Sequence, residues 1–332
     1  MSNEMYDITI IGGGPAGLFA GFYAGMRTAK VQIIESLEQL GGQVSALYPE
    51  KSIHDVGGYP GIKALDLAQQ LEKQVRQLPV DIRIKETVTN VSKLSDMEAY
   101  QIVTDKDSYQ TKSIVIATGN GAFQPRKLAI ENGESLEDKH LFYHVPDLHR
   151  FEDQRVMVAG GGDSAIDIAL MLEPIAKEVI LVHRRDEFRA MEHSVQLLQN
   201  SEIQTKTPFL IKAVKEENNH LAVELDRVRS DETETIEVDD VLVNYGFTSS
   251  NKIIKNWDIQ PEQKHRMFLV DNMMQTSIPN IYAIGDGIEY PGKLRLIATA
   301  FGEGPVAINQ IMNNLYPGKR GPLHSTSMFQ EK

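Results

Sequence analysis

The 332-residue sequence predicts an α/β fold containing two Rossmann-like three-layer units. Three observations carry that expectation. A glycine-rich loop follows an apolar strand pattern near the start, and a second such loop follows another strand pattern near the middle. Each loop opens a helical pattern that leads into a further strand ending in a charged or titratable residue. Composition agrees: 41% hydrophobic and 24% charged residues, with no biased tract, describe a chain able to bury two cores.

Taken in order, Asp7-Ile-Thr-Ile-Ile11 reads as a buried strand and Gly12, Gly14 and Gly17 fall on the GxGxxG spacing. The first glycine permits a sharp turn, the second lets the backbone approach a pyrophosphate, and the third lets helix and strand pack closely. A helix over 16–26 follows, then a strand over 30–35 that ends in Glu35, 23 residues after Gly12. A carboxylate there accepts hydrogen bonds from an unmodified ribose diol. The second unit repeats the plan. Arg155-Val-Met-Val-Ala159 is a strand, Gly160, Gly162 and Ala165 form GxGxxA, and 164–172 is a helix. The strand over 179–182 ends at His183, again 23 residues after the first glycine. Here the strand end reads His183-Arg184-Arg185, with Arg189 one turn further on. Paired guanidiniums suit a 2′-phosphate through bidentate charge-assisted bonds, so the second loop is expected to hold NADP(H). Asp163 suits helix capping at that loop better than acid catalysis.

The sequence also excludes several classes. It contains no cysteine, which removes structural disulfides, thiolate metal sites and a CxxC redox centre together. No metal is expected. A net charge of −12 disfavours nucleic acid as a partner. That charge is uneven: segment 208–240 holds ten acidic and four basic residues and suits a solvated hairpin, whereas 290–332 holds five basic and two acidic. No apolar run approaches the roughly 20 residues that cross a bilayer. Residues 1–7 lack the basic and apolar regions of a signal peptide, so the expectation is a cytoplasmic chain with no membrane partner.

With these residues placed, the chain resembles the two-dinucleotide flavoproteins of the thioredoxin reductase family. Gly41-Gly42-Gln43, Tyr59-Pro60-Gly61, Ile116-Ala-Thr-Gly119, Gly160-Gly-Gly-Asp-Ser-Ala165, His183-Arg-Arg185 and Ile284-Gly-Asp286 stand in that family's order and approximate spacing. The resemblance implies FAD on the first loop and NADP(H) on the second. It also implies an NADP(H)-binding domain, 121–246, inserted into an FAD-binding domain, 1–120 and 247–332, because Gly285-Asp286 returns to the flavin. One departure matters. Thioredoxin reductases carry a Ser-Tyr-Cys-x-x-Cys-Asp motif upstream of the second loop, and this chain reads Phe142-Tyr-His-Val-Pro-Asp147 there. The thioredoxin-reductase-like ferredoxin–NADP(+) reductases of bacteria lack that dithiol. The chain is similar to them in Leu47-Tyr-Pro-Glu-Lys51 and in a C-terminal extension through Pro322-Leu-His-Ser-Thr-Ser327.

Membership of that branch implies electron transfer between NADPH and a one-electron carrier, ferredoxin or flavodoxin, with FAD taking the hydride, and a homodimer. It implies that Glu35 binds the FAD ribose, that Gln43 bonds near the flavin, and that the backbone of Val88 meets the adenine. Tyr48 would stack on one flavin face and Phe123 would lie against the ring, although both residue types also serve as plain core. Asp286 would bond the ribityl or pyrophosphate region. A helix beginning near Leu294 would point its N-terminus at the flavin. His324 would stack on the other flavin face with Thr326 nearby, although a tail histidine is also often merely solvated. An acidic carrier would need a local basic patch, for which Lys293, Arg295, Lys319, Arg320, Arg126 and Lys127 are candidates. Two other readings stay open: an NADPH oxidase or diaphorase acting on oxygen, quinone or free flavin, and a non-catalytic redox sensor. Truncation after Gly321 is expected to change the stopped-flow rate of NADPH oxidation; an unchanged rate removes His324 from the reaction.

Overall fold

The computed structural model describes residues 5–319 except 120, 132, 146, 218, 219 and 251–253, and leaves out the side chains of 122–124 and 247–250. His324, Thr326 and Arg320 therefore lie outside the described residues, as does the side chain of Phe123. Two compact units emerge: Met1–Ala122 with Ser249–Lys332, and Phe123–Thr248.

The first unit starts with β1 (Met5–Ile11), α1 (Pro15–Met26) and β2 (Val31–Ile34). Both strands are almost fully buried, which is why they read as continuous apolar runs rather than alternating ones. Pro15 sits at the helix start, where its missing N–H costs nothing and its fixed φ suits the first turn. Then come α2 (Ala64–Val75), β3 (Val80–Arg83), β4 (Val88–Lys93), β5 (Tyr100–Thr104) and β6 (Ser108–Ile116). The seven-stranded sheet runs β3-β2-β1-β6-β5-β4, with one more strand added from the far end of the chain.

The second unit contains β7 (Leu141–Phe142), β8 (Arg155–Ala159), α3 (Asp163–Leu172), β9 (Glu178–Val182), α4 (Glu192–Gln199) and β10 (Gln204–Lys206). Next are β11 (Phe209–Glu217), β12 (His220–Arg227), β13 (Thr233–Val238) and β14 (Asp240–Val243). Five of these form a parallel sheet in the order β7-β14-β8-β9-β10. The acidic segment folds as a separate antiparallel sheet, β11-β12-β13. Its middle strand alternates, burying Leu221, Val223 and Leu225 completely while its charges face outward, so the acidic hairpin has a core face of its own.

The chain then returns to the first unit, where β15 (Ile281–Ala283) pairs in parallel with Ile114–Ile116 of β6. The last helix, α5 (Ile297–Leu315), packs on α1, and a Cβ on Gly304 would meet Ala20 at 3.2 Å. It starts three residues later than the sequence suggests. Leu294 and Leu296 stay exposed, and the Asp55 carboxylate accepts the Ile297 amide at 2.7 Å, which supplies the N-terminal cap.

The structure corrects one docking candidate. The Lys293 side chain is only 2% exposed and forms an ion pair with Glu303, itself 3% exposed. Glu303 also accepts the Gly285 amide at 2.7 Å and the Tyr290 hydroxyl at 2.9 Å. Each buried charge is thus paired and hydrogen-bonded, the condition under which burial is tolerable. Lys293 therefore cannot take part in a surface patch. Lys293→Met would strand the Glu303 carboxylate in the core, and we expect a loss of about 3 kcal/mol, read as a lowered denaturant midpoint.

Candidate functional site

Both glycine loops are built by the same close approach. A Cβ on Gly12 would lie 2.4 Å from the Ala117 carbonyl oxygen, and a Cβ on Gly160 would lie 2.5 Å from that of Asn244. Ala117 follows β6 beside β1, and Asn244 follows β14 beside β8, so the two contacts are equivalent. The amide of Gly12 donates to Ile34 O at 2.8 Å, and that of Gly160 donates to Val182 O at 2.9 Å. These bonds place residue 35 and residue 183, one step further along each strand, over the middle glycine of each loop. A Cβ on Gly13 would meet the Glu35 Cβ at 3.1 Å, and one on Gly161 would meet the His183 ring at 2.2 Å.

The residues at that shared position then diverge. Glu35 is 6% exposed; one carboxylate oxygen accepts the Gly13 amide at 2.7 Å, the other the Leu37 amide at 2.8 Å. Oε1 also accepts the Ser36 hydroxyl at 3.2 Å, whereas Oε2 keeps a second lone pair, so the carboxylate is fixed in place and still able to accept from a diol. His183 instead lies flat against the loop and stacks on Phe188, with ring centroids 5.5 Å apart. Burial and the neighbouring Arg185, Arg184 and Arg189 hold its pKa below the ordinary imidazole value, so it is neutral at pH 7. The cations come from its neighbours: Arg184 and Arg185, both exposed, line a cavity of about 400 Å³ with Asp186, Pro208, Val228 and Arg229.

Three of the buried polar atoms without partners stand beside the loops. The Thr118 hydroxyl, one residue past Ala117, is buried and makes no hydrogen bond among the described residues. The same holds for the Asn244 side-chain amide and for Nε2 of His183. Unpaired buried groups are costly, and a dinucleotide lying along each loop supplies partners for them. Space is reserved too. A Cβ on Gly14 would meet nothing closer than the Gly42 Cα at 3.9 Å, which leaves a bare backbone trough where a pyrophosphate fits. Gly17 allows the helix to approach, since a Cβ there would lie 1.9 Å from Gly12 O. In the second loop Ala165, 1% exposed, takes that place, and its Cβ would sit 2.7 Å from one on Gly160.

Around the first loop the fold gathers several of the other candidates. Gln43 opens a single helical turn, Gln43–Ala46, and its Nε2 would lie 3.4 Å from a Cβ on Gly119. Gly119 in turn touches Gly287, beside Asp286. Burial raises the Asp286 carboxyl pKa, with Lys293 and Arg295 opposing. Tyr48 is pushed up to about 12 by burial and then by the carboxylates of Asp286 and Asp55, so all three groups share one region. Val88 is buried at the start of β4. The neighbouring Glu86 amide donates to the Glu35 carbonyl at 3.0 Å, on the ribose side. Around the second loop, the Arg189 amide donates to Gly161 O at 2.7 Å. Asp163, the first residue of α3, accepts the Met191 amide at 2.8 Å and so holds the entry to α4 rather than its own helix. Sequence reading missed Thr118, Asn244 and Asp55, although Thr118 stood inside a quoted motif. Gly160→Ala is expected to abolish NADPH binding in isothermal titration while the purified protein keeps its flavin absorbance. Loss of both ligands would show that the two loops do not act separately.

Comparison with known proteins places this geometry. A profile of the family described as pyridine nucleotide-disulphide oxidoreductase matches residues 6–304. A Pediococcus pentosaceus protein named ferredoxin–NADP reductase is 63% identical, covering 99% of each chain. One of the same name from Lactiplantibacillus plantarum is 55% identical, covering 100% of each. Among solved structures, thioredoxin reductase from Lactococcus lactis is 29% identical with a TM-score of 0.79, covering 93% of this chain and 98% of its own. The thioredoxin reductase of T. acidophilum, 23% identical with a TM-score of 0.81, shares the fold over 94% of this chain and 99% of its own. On these matches, and on the two loops they contain, the chain belongs to the pyridine nucleotide-disulphide oxidoreductase family and to its thioredoxin-reductase-like ferredoxin–NADP(+) reductases.

Proposed function

We propose that the chain is an FAD-dependent ferredoxin–NADP(+) reductase, moving electrons between NADPH and ferredoxin or flavodoxin. One observation carries the reading: of two loops of equal geometry, one ends in a carboxylate and the other in a neutral imidazole followed by two arginines, in a chain without a single cysteine. The first, with Glu35 at the ribose position, suits FAD; the second, with Arg184 and Arg185, suits NADP(H). Bound FAD supplies hydride acceptance and single-electron release, chemistry that no side chain here offers.

The protein's part is to bind, orient and shield. Gly12, Gly14 and Gly17 cradle the FAD pyrophosphate against the α1 N-terminus, and Glu35 holds its ribose. Thr118 and Asp286 offer buried oxygens to the ribityl chain and Gln43 an amide, while Tyr48 offers its ring to the flavin face. Gly160, Gly162 and Ala165 form the NADP(H) cradle, His183 gives an uncharged platform, and Arg184, Arg185 and Arg189 give the positive field. Phe123, Val88, His324 and Thr326 remain proposed contacts to FAD on the family resemblance. With Lys293 buried, the remaining candidates for carrier docking are Arg295 and Lys319 in the first unit and Arg126 and Lys127 in the second, with Arg320 outside the described residues. Lys127 is ion-paired to Glu137 and Arg295 to Glu289, so each of these two cations is neutralised where it stands. Among the described residues no helix is long and apolar enough to cross a membrane. A cytoplasmic homodimer is part of the proposal, checked by light scattering on the purified protein.

The test is an anaerobic titration with NADPH and with NADH, followed by cytochrome c reduction with and without ferredoxin. NADPH is expected to bleach the visible flavin band, and ferredoxin to stimulate cytochrome c reduction. The Arg184→Ala/Arg185→Ala double variant is expected to lose roughly tenfold or more of the preference for NADPH over NADH. Turnover with oxygen that ferredoxin does not increase would support a diaphorase instead, and an unbleached flavin would support a sensor.

A further inference from the structure

The second site reaches further than its strand end. The cavity lined by Arg184 and Arg185 also takes in Arg229, which lies in the turn between β12 and β13. Backbone bonds hold that turn at the site. Phe209 N donates to His183 O at 2.9 Å, and Val228 N donates to Pro208 O at 2.9 Å. The turn is closed by Arg227 N bonding Glu232 O at 2.9 Å and by the Arg227–Glu232 ion pair at 2.9 Å. The antiparallel sheet thus delivers Val228 and Arg229 to the cavity that Arg184 and Arg185 line.

That residue is costly in its place. Arg229 has φ 61, the left-handed region that glycine and asparagine occupy with less strain. Lys85, Arg266 and six other described non-glycine residues share that region, so the backbone alone assigns Arg229 no task. The surrounding charge does. Arg150, Arg155 and Arg227 each hold a carboxylate, whereas among the described residues Arg184, Arg185 and Arg229 make no ion pair. Three guanidiniums around one cavity of about 400 Å³ repel each other, and Asp186 offsets a single charge. A phosphate monoester dianion would neutralise the excess, and planar guanidiniums match its oxygens in pairs.

We infer that Arg229 is a further arm of the clamp for the 2′-phosphate of NADP(H), so that specificity for the phosphorylated dinucleotide is set jointly by the β9 strand end and by a turn of the acidic sheet. The inference rests on reading the second loop as the NADP(H) site. Nothing in the local sequence marks Arg229, which lies in a segment whose charge is otherwise acidic.

The experiment uses FAD-loaded protein and two probes, 2′,5′-ADP and ADP, in isothermal titration, with kcat/KM for NADPH and NADH measured alongside. Arg229→Asn keeps a residue tolerant of the left-handed backbone, Arg229→Lys keeps the charge without the fork, and Arg184→Ala is the reference. For Arg229→Asn, affinity for 2′,5′-ADP is expected to fall about tenfold and affinity for ADP less than about twofold. The NADPH-to-NADH ratio of kcat/KM should fall in parallel, and Arg229→Lys should recover part of it. If Arg184→Ala loses 2′,5′-ADP binding while Arg229→Asn does not, the clamp works without Arg229 and the inference is overturned, though the site assignment stands. If neither variant changes it, the assignment of the second loop falls as well. Equal losses for both probes with a lowered Tm would make Arg229 a structural residue and also overturn the inference.

Discussion

The structure depends on one contact made twice: the first glycine of each loop lies against the carbonyl that ends the neighbouring strand. At both places a single methyl group would collide with backbone oxygen, at 2.4 Å for Gly12 and 2.5 Å for Gly160. Because that oxygen directly follows a strand paired in parallel with the loop's own strand, it cannot move aside without disturbing the ladder. The tight turn, the exposed loop amides and the helix start directed at the ligand all follow from this approach. So does the placement of residues 35 and 183, since the same glycine amides bond the carbonyl just before each.

On this shared scaffold the two sites differ through few substitutions. Glu35 anchors itself on loop amides and presents negative charge, whereas His183 fills the same space as an uncharged ring. The imidazole contributes shape and stacking, and the charge comes from arginines beside it, which stay exposed where a phosphate could meet them. The chemistry is left to the cofactor, which explains why the described residues show no nucleophile–base pair and why the missing cysteines are no defect in this branch of the family.

The legible parts of the sequence were those set by local order. Glycine spacing, apolar strand runs and the charged residue 23 positions on were all readable because each is fixed within one βαβ unit. What escaped depends on neighbours far along the chain. Thr118 and Asn244 become orphaned polar groups only once β6 and β14 flank their loops. Lys293 looked like a surface cation, and it is buried because Glu303, on the inner face of α5, needs it. Arg229 sits in an acidic stretch and reaches the second site through hairpin geometry that no periodicity reports. The helix expected at Leu294 starts at Ile297 because Asp55, distant in sequence, provides its cap.

The strand β15 occupies the edge of β6 at Ile114–Ile116, and the whole second unit intervenes before it is made. On the ribosome, that apolar edge emerges early and waits without its partner while the inserted unit is synthesised. Unpaired strand edges of this kind recruit other chains and slow the closure of long-range sheets. The nascent polypeptide therefore passes through a vulnerable interval whose length is set by translation of the insert, and holding chaperones or an early-bound flavin would act during that interval.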